Sequence, residues 1–171
     1  ISNYLNNRMY VLNYGANPTG TPAVQSYLLS AASPLFTGFM YNDGIEAAKD
    51  CDGWHVFLST SLRGLWRMDF QDLMQLPTAV DSLPIAADTL QYPDGIVLTN
   101  ELGKWLVFVQ QRTTGKLYRI NLGNTLTGYE SRALMNTALP IAGLLRSSLF
   151  MVKENSNHYL FANTKGNGST A

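Results

Sequence analysis

Apolar and polar positions alternate over short stretches of this chain and are separated by glycine-containing turns. Leu65-Trp66-Arg67-Met68-Asp69-Phe70 and Lys116-Leu117-Tyr118-Arg119-Ile120-Asn121-Leu122 alternate with a period of two. That is the signature of strands whose sheet buries one face. Val56-Phe57-Leu58 and Val107-Phe108-Val109 are instead continuously apolar. No window carries the 3.6-residue period of an amphipathic helix, so the chain reads as all-β.

The pattern repeats. Asp43-Gly44-Ile45 aligns with Asp94-Gly95-Ile96, Trp54 with Trp105, Val56-Phe57 with Val107-Phe108, and Gly64 with Gly115. Trp66-Arg67-Met68-Asp69 aligns with Tyr118-Arg119-Ile120-Asn121. The offset is 51 residues, from Trp54 to Trp105, and becomes 52 after one insertion near Gly115. Weaker copies lie at Arg8–Asn13 and Asn157–Asn163, so the chain holds about four units, with boundaries near 1–41, 42–92, 93–139 and 140–171.

Each clear unit predicts a first strand (Gly44–Ala48; Gly95–Thr99), a tight turn (Asp50–Gly53; Glu101–Lys104), an aromatic strand, a second turn and an alternating strand. A fourth strand fits at Ala79–Ile85 or Ser131–Leu134. Repeats of about 50 residues, each with four antiparallel strands, suit a β-propeller. The recurring Trp54, Trp66, Trp105, Tyr118 and Tyr159 are expected in the core between units.

Composition narrows the classes of function. Twelve basic residues balance twelve acidic ones without clustering, which removes the electrostatic footprint expected for nucleic acid or an anionic membrane surface. No apolar run reaches membrane-span length. Charged residues are only 14% of the chain, so the surface is polar mainly through neutral groups, which suits a secreted or assembled protein. Cys51 is the single cysteine, and no charged and apolar leader opens the sequence, which suggests a mature, trimmed or internal start. The one glycosylation sequon is Asn167-Gly168-Ser169.

The motifs Asn42-Asp43-Gly44-Ile45, Pro93-Asp94-Gly95-Ile96, Gly103-Lys104-Trp105-Leu106-Val107-Phe108 and Gly115-Lys116-Leu117-Tyr118-Arg119-Ile120 resemble those of the gluconolactonase, regucalcin and paraoxonase group. The similarity covers Arg8 to Leu122. It implies a six-bladed propeller that uses calcium to hydrolyse a lactone or ester. Such a ring needs on the order of 300 residues, so this chain supplies about four blades, and another chain could complete it.

Residue by residue, the resemblance makes Asn42 a metal ligand and sets Asp94 where the group carries a metal-binding Asn. A further acidic ligand should fall near Ala142-Gly143, where Ala142 cannot coordinate. Tyr14 follows Asn13 where the paraoxonases carry a catalytic histidine. Oxygen donors from loops of adjacent blades can share a hard cation such as Ca²⁺, and a bound cation can polarise a carbonyl.

Two functions follow from these residues. One is a calcium-dependent hydrolase with Asn42 and Asp94 at its metal. The other is a non-catalytic, secreted propeller used as a structural or binding scaffold, favoured by Ala142 and Tyr14. Asn-Asp-Gly and Pro-Asp-Gly also serve simply as turn formers. Asp50-Cys51-Asp52-Gly53 reads as a hairpin turn, because the later ligands of a calcium loop are missing. His55 and His158 have no second ligand at metal spacing and read as structural.

Overall fold

The structure is a computed structural model, which describes residues 2–3, 8–28, 42–60, 64–85, 90, 92–135, 147–155 and 157–164. Thirteen strands and no helix occur among them. The first sheet holds β1 (Ser2–Asn3), β2 (Arg8–Asn13) and β3 (Ala23–Leu28) in sequence order. The second is a four-stranded meander of β4 (Asn42–Lys49), β5 (Trp54–Thr60), β6 (Gly64–Phe70) and β7 (Ala79–Ser82). The third repeats it with β8 (Pro93–Glu101), β9 (Lys104–Gln111), β10 (Leu117–Gly123) and β11 (Ser131–Leu134). The fourth is the hairpin of β12 (Ser147–Glu154) and β13 (Asn157–Thr164). All pairings are antiparallel.

The repeat is therefore structural as well as sequential. Trp54 pairs with Lys49, and its counterpart Trp105 pairs with Asn100. Both first strands carry an irregularity at the same place, between Asn42 and Gly44 and between Pro93 and Ile96. Both begin earlier and end later than the expected Gly44–Ala48 and Gly95–Thr99. Antiparallel hydrogen bonding runs down to the turn and continues past the bulge. Of the expected Ala79–Ile85 strand, Ala79–Ser82 forms; Leu83 still donates its N–H to the Leu65 carbonyl of β6 at 2.9 Å, while its side chain and that of Ile85 join an apolar layer.

Three such layers join the sheets. Met9, Val11 and Tyr27 of the first sheet pack on Val56, Leu58, Trp66, Met68 and Phe70 of the second. Phe57 and Leu65, on the opposite face of the second sheet, pack on Ile96, Val107, Val109, Tyr118 and Ile120 of the third. Val97, Phe108 and Leu117 then meet Leu149, Met151 and Leu160 of the fourth. Period two explains the division, since Val56 and Leu58 project to one side and Phe57 to the other. It also explains why β5 and β9 read as continuously apolar: each lies in a sheet covered on both faces.

The first strands adjoin one another in order, β1 by β4, β4 by β8 and β8 by β12. Their close approach depends on two glycines. A Cβ on Gly44 would stand 2.6 Å from the Asp94 carbonyl oxygen and 2.7 Å from Ile96 Cγ2. One on Gly95 would stand 2.7 Å from the Leu149 nitrogen and 2.8 Å from Leu149 Cγ. In each Asp-Gly-Ile motif the glycine is thus the point where the next sheet touches.

Two expectations from sequence need correction. Counting back from the β12–β13 turn, where Glu154 pairs with Asn157 as Glu101 does with Lys104, Ser147 takes the place of Asp94. The third repeat of that position is therefore not near Ala142-Gly143, which lie outside the described residues. The same register makes His158, not Tyr159, the counterpart of Trp54 and Trp105. Tyr159 is 44% exposed rather than core, because no described sheet covers its face of β13. Trp66 and Tyr118 are buried as expected.

Candidate functional site

One end of the sheets carries the residues that the sequence nominates as metal ligands. Asn42 opens β4 and pairs with Thr60, while Asp94 lies in the irregular start of β8. Adjacent first strands bring both to the same end of the fold. They are not equivalent, however. The repeat aligns Asp94 with Asp43, and Asn42 with Pro93. The side chain of Asn42 lies outside the described set.

Asp94 is 1% exposed. Its carbonyl accepts a 2.5 Å hydrogen bond from Ser59 Oγ, which ties the second sheet to the third. Around this end Ser59, Thr60, Gln110 and Gln111 are all buried, polar side chains that apolar periodicity does not anticipate. Their signal in the sequence is the change from apolar to polar at the close of β5 and β9, Leu58-Ser59-Thr60 and Val109-Gln110-Gln111. Gln110 Oε1 is buried without a hydrogen-bond partner.

These groups provide one carboxylate, the hydroxyls of Ser59 and Thr60 and the amide oxygens of Gln110 and Gln111, and calcium takes six to eight oxygens. Among the described residues, no group of three or more His, Cys, Asp or Glu ligand atoms includes Asp94. Of the two nominated ligands, Asp94 alone has its side chain among the described residues.

The opposite end holds a network of charges. Asp50, in the β4–β5 turn, places Oδ1 2.9 Å from Nε2 of His55. Asp69 on β6 places Oδ1 2.7 Å from the other ring nitrogen, Nδ1. His55 is itself 2% exposed. Arg67 donates from Nε to the same Asp69 oxygen at 2.8 Å, and through its two terminal nitrogens to Asp81 Oδ2 and the Thr127 carbonyl, each at 2.9 Å. Asp50 Oδ1 also accepts the Asp52 N–H, and its Oδ2 accepts the N–H of Leu126 at 2.9 Å. Leu126 and Thr127 follow β10, so the network spans the second and third sheets.

Burial raises the pKa of the Asp50 carboxyl, but the N–H groups of Leu126 and Asp52 and the His55 ring outweigh it and hold it below the ordinary value. A depressed folded-state pKa contributes stability above the unfolded value that is lost as pH falls through the folded one. Acidification below about pH 4 should therefore weaken this junction. The Asp50→Ala variant, measured by denaturant midpoint across the acid range, should lose less stability on acidification than the parent chain.

Asp50, Cys51 and Asp52 form a tight group in the turn, with one potential ligand atom each, all within 4.8 Å of one another. Their hydrogen bonding is that of a turn: Asp50 N–H donates to the Gly53 carbonyl at 3.0 Å, and Gly53 has φ 138°. A hydrogen bond to Asp52 and the charge of that carboxylate push the Cys51 thiol upward, which keeps it protonated and a poor nucleophile. His55 likewise has both nitrogens committed, leaving none for a substrate. Tyr14 lies in the turn after β2 and is 42% exposed.

At the other histidine, His158 Nε2 lies 2.5 Å from Glu101, which also receives Lys153 Nζ at 3.3 Å. This cluster, centred on the half-buried Glu101, joins the third sheet to the fourth. A cleft lies between the first and second sheets, lined by Met9, Val11, Leu12, Ile45, Val56 and Leu73. Ala47 and Tyr10 complete the lining, which is largely apolar, and the Tyr10 phenol is the one ionisable side chain in it. Compared with protein-family models, curated proteins and solved structures, the chain gives no match.

Proposed function

We propose that the four sheets are successive blades of a β-propeller and that the chain serves as a non-catalytic, secreted scaffold rather than as a hydrolase. The observation that carries the propeller reading is the repeated contact at Gly44 and Gly95. Each first strand backs onto the next at the same residue of its motif, as strands set around a common axis would do. A closed ring also needs each blade to offer one apolar face forward and one backward, and the second and third sheets do so.

The scaffold reading is supported by how the candidate chemical groups are used. His55 and Asp50 hold two sheets together, Cys51 is held in its thiol form, and Asp94 is buried with its carbonyl bound to Ser59. A propeller of this kind acts through its surfaces. At one end of the stack Phe150, Val152, Tyr159 and Phe161 are exposed on one face of the fourth sheet. Phe161 corresponds in register to Phe57, which the third sheet covers completely. By that correspondence, the partner suited to this face is another sheet of the same repeat type.

The reading is tested with calcium and a lactone or aryl ester substrate. The expected result is an unchanged melting temperature on adding millimolar calcium and no turnover above buffer. A calcium-dependent rise in melting temperature together with calcium-dependent hydrolysis would overturn the scaffold in favour of the hydrolase.

A further inference from the structure

Beyond the scaffold reading, the junction between the second and third sheets holds an imidazole between two carboxylates. Both nitrogens of the His55 ring lie within hydrogen-bonding distance of carboxylate oxygens, Nδ1 of Asp69 and Nε2 of Asp50. A neutral imidazole has one N–H and one lone pair, and an ionised carboxylate can only accept. With one neutral ring and two ionised carboxylates, one contact would set lone pair against lone pair. Either the ring carries both protons, or one carboxyl carries the extra one.

The remaining bonds favour the ring. Asp69 Oδ1 already accepts the Nε–H of Arg67, and both oxygens of Asp50 accept main-chain N–H groups. All three carboxylate oxygens in question are thus used as acceptors. We propose that the His55 ring, held between Asp50 and Asp69, is a proton-operated latch that fastens the β4–β5 turn of the second sheet to the Leu126 amide of the third.

The surroundings are consistent with a single proton controlling the contact. From the turn, Asp50 approaches the ring, with Cys51 and the exposed Asp52 grouped beside it. β4 presents Ala48 opposite His55, with Glu46 two residues further along, where burial raises its pKa. β6 supplies Asp69 and Arg67, and β7 supplies Asp81, which pairs with Arg67. The third sheet contributes main-chain groups of Leu126 and Thr127, while its Lys104 and Glu130 pair with each other. When the extra proton leaves, Asp50 loses its donor on the ring. The turn is then free to swing away, taking the acceptor of the Leu126 N–H with it.

The latch opens on the alkaline side, since the proton is bound when it is closed and released when it opens. If opening releases one proton, the opening constant rises about tenfold per pH unit. The test combines ¹⁵N spectra of the imidazole with amide hydrogen exchange at Leu126, corrected for base catalysis and referred to Leu122 in β10. Both ring nitrogens should be protonated while Leu126 is protected, and the two signals should change over the same pH range. In the His55→Gln variant the pH step at Leu126 should vanish. A ring with a single N–H while Leu126 remains protected would overturn the latch, as would a pH step that survives in His55→Gln. If that variant does not fold, the ring spectrum of the parent chain decides the question by itself.

Discussion

Replacing Phe57 by alanine should destabilise the fold by about 3–5 kcal/mol, whereas the same change at Phe161 should cost no more than about 0.5 kcal/mol. The two residues occupy one position of the repeat, pairing with Glu46 on β4 and with Phe150 on β12. Their environments differ completely. Phe57 is 0% exposed, among Leu65, Ile96, Val107 and the other residues of the central layer, and truncation there removes buried surface and leaves a cavity. Phe161 is 56% exposed and meets Phe150 at a ring separation of 6.4 Å. Chemical unfolding of both variants measures the difference. Equal losses would mean that Phe161 is covered in solution, and that the open face of the fourth sheet has found its partner.

A methyl group at Gly44 or Gly95 should be among the most damaging small changes possible in this chain. Gly95→Ala would bring its Cβ within 2.7 Å of the Leu149 nitrogen and 3.0 Å of the Ser148 carbonyl carbon, both main-chain atoms. Gly44→Ala meets the Asp94 carbonyl oxygen at 2.6 Å and Ser59 Oγ at 2.8 Å. Backbone cannot rotate out of the way as a side chain can, so the first strands must separate, at a cost of about 2–3 kcal/mol. The Ser59 to Asp94 hydrogen bond would be lost with the second substitution. Gly20→Ala is the control, since its nearest neighbour, the Asn17 carbonyl oxygen, stands at 3.4 Å. Urea midpoints for the three variants should fall in two groups. Gly95→Ala behaving like Gly20→Ala would mean that β8 and β12 are not held this closely.

Much of the architecture can be read from the chain alone because β-structure leaves local marks. Period two in Leu65–Phe70, the turn glycines and the match of Trp54 with Trp105 locate strands and their order within a sheet, and the two four-stranded meanders follow that reading. Backbone hydrogen bonding between sequential strands needs only a short connection, so neighbours in sequence become neighbours in space. The turn at Asp50-Cys51-Asp52-Gly53 is legible for the same reason.

Other features were decided by packing between sheets. Alternation tells which residues share a face, but Val56, Phe57 and Leu58 are all apolar, and only the stacked sheets assign Val56 and Leu58 to one neighbour and Phe57 to the other. The role of Gly44 and Gly95 depends on a contact with a different sheet, although in sequence both look like turn residues. Asp50 reaches Leu126 across a separation of 76 residues, and no local pattern announces such a bond. The sequence alone identified His55 as structural, while its two carboxylates and the proton they require came from tertiary contacts. Ser147 matches Asp94 only through hairpin register, because counting about 50 residues onward cannot anticipate a longer connection. Tyr159 has the composition of a core position and lies exposed, since burial requires a covering sheet as well as an apolar side chain.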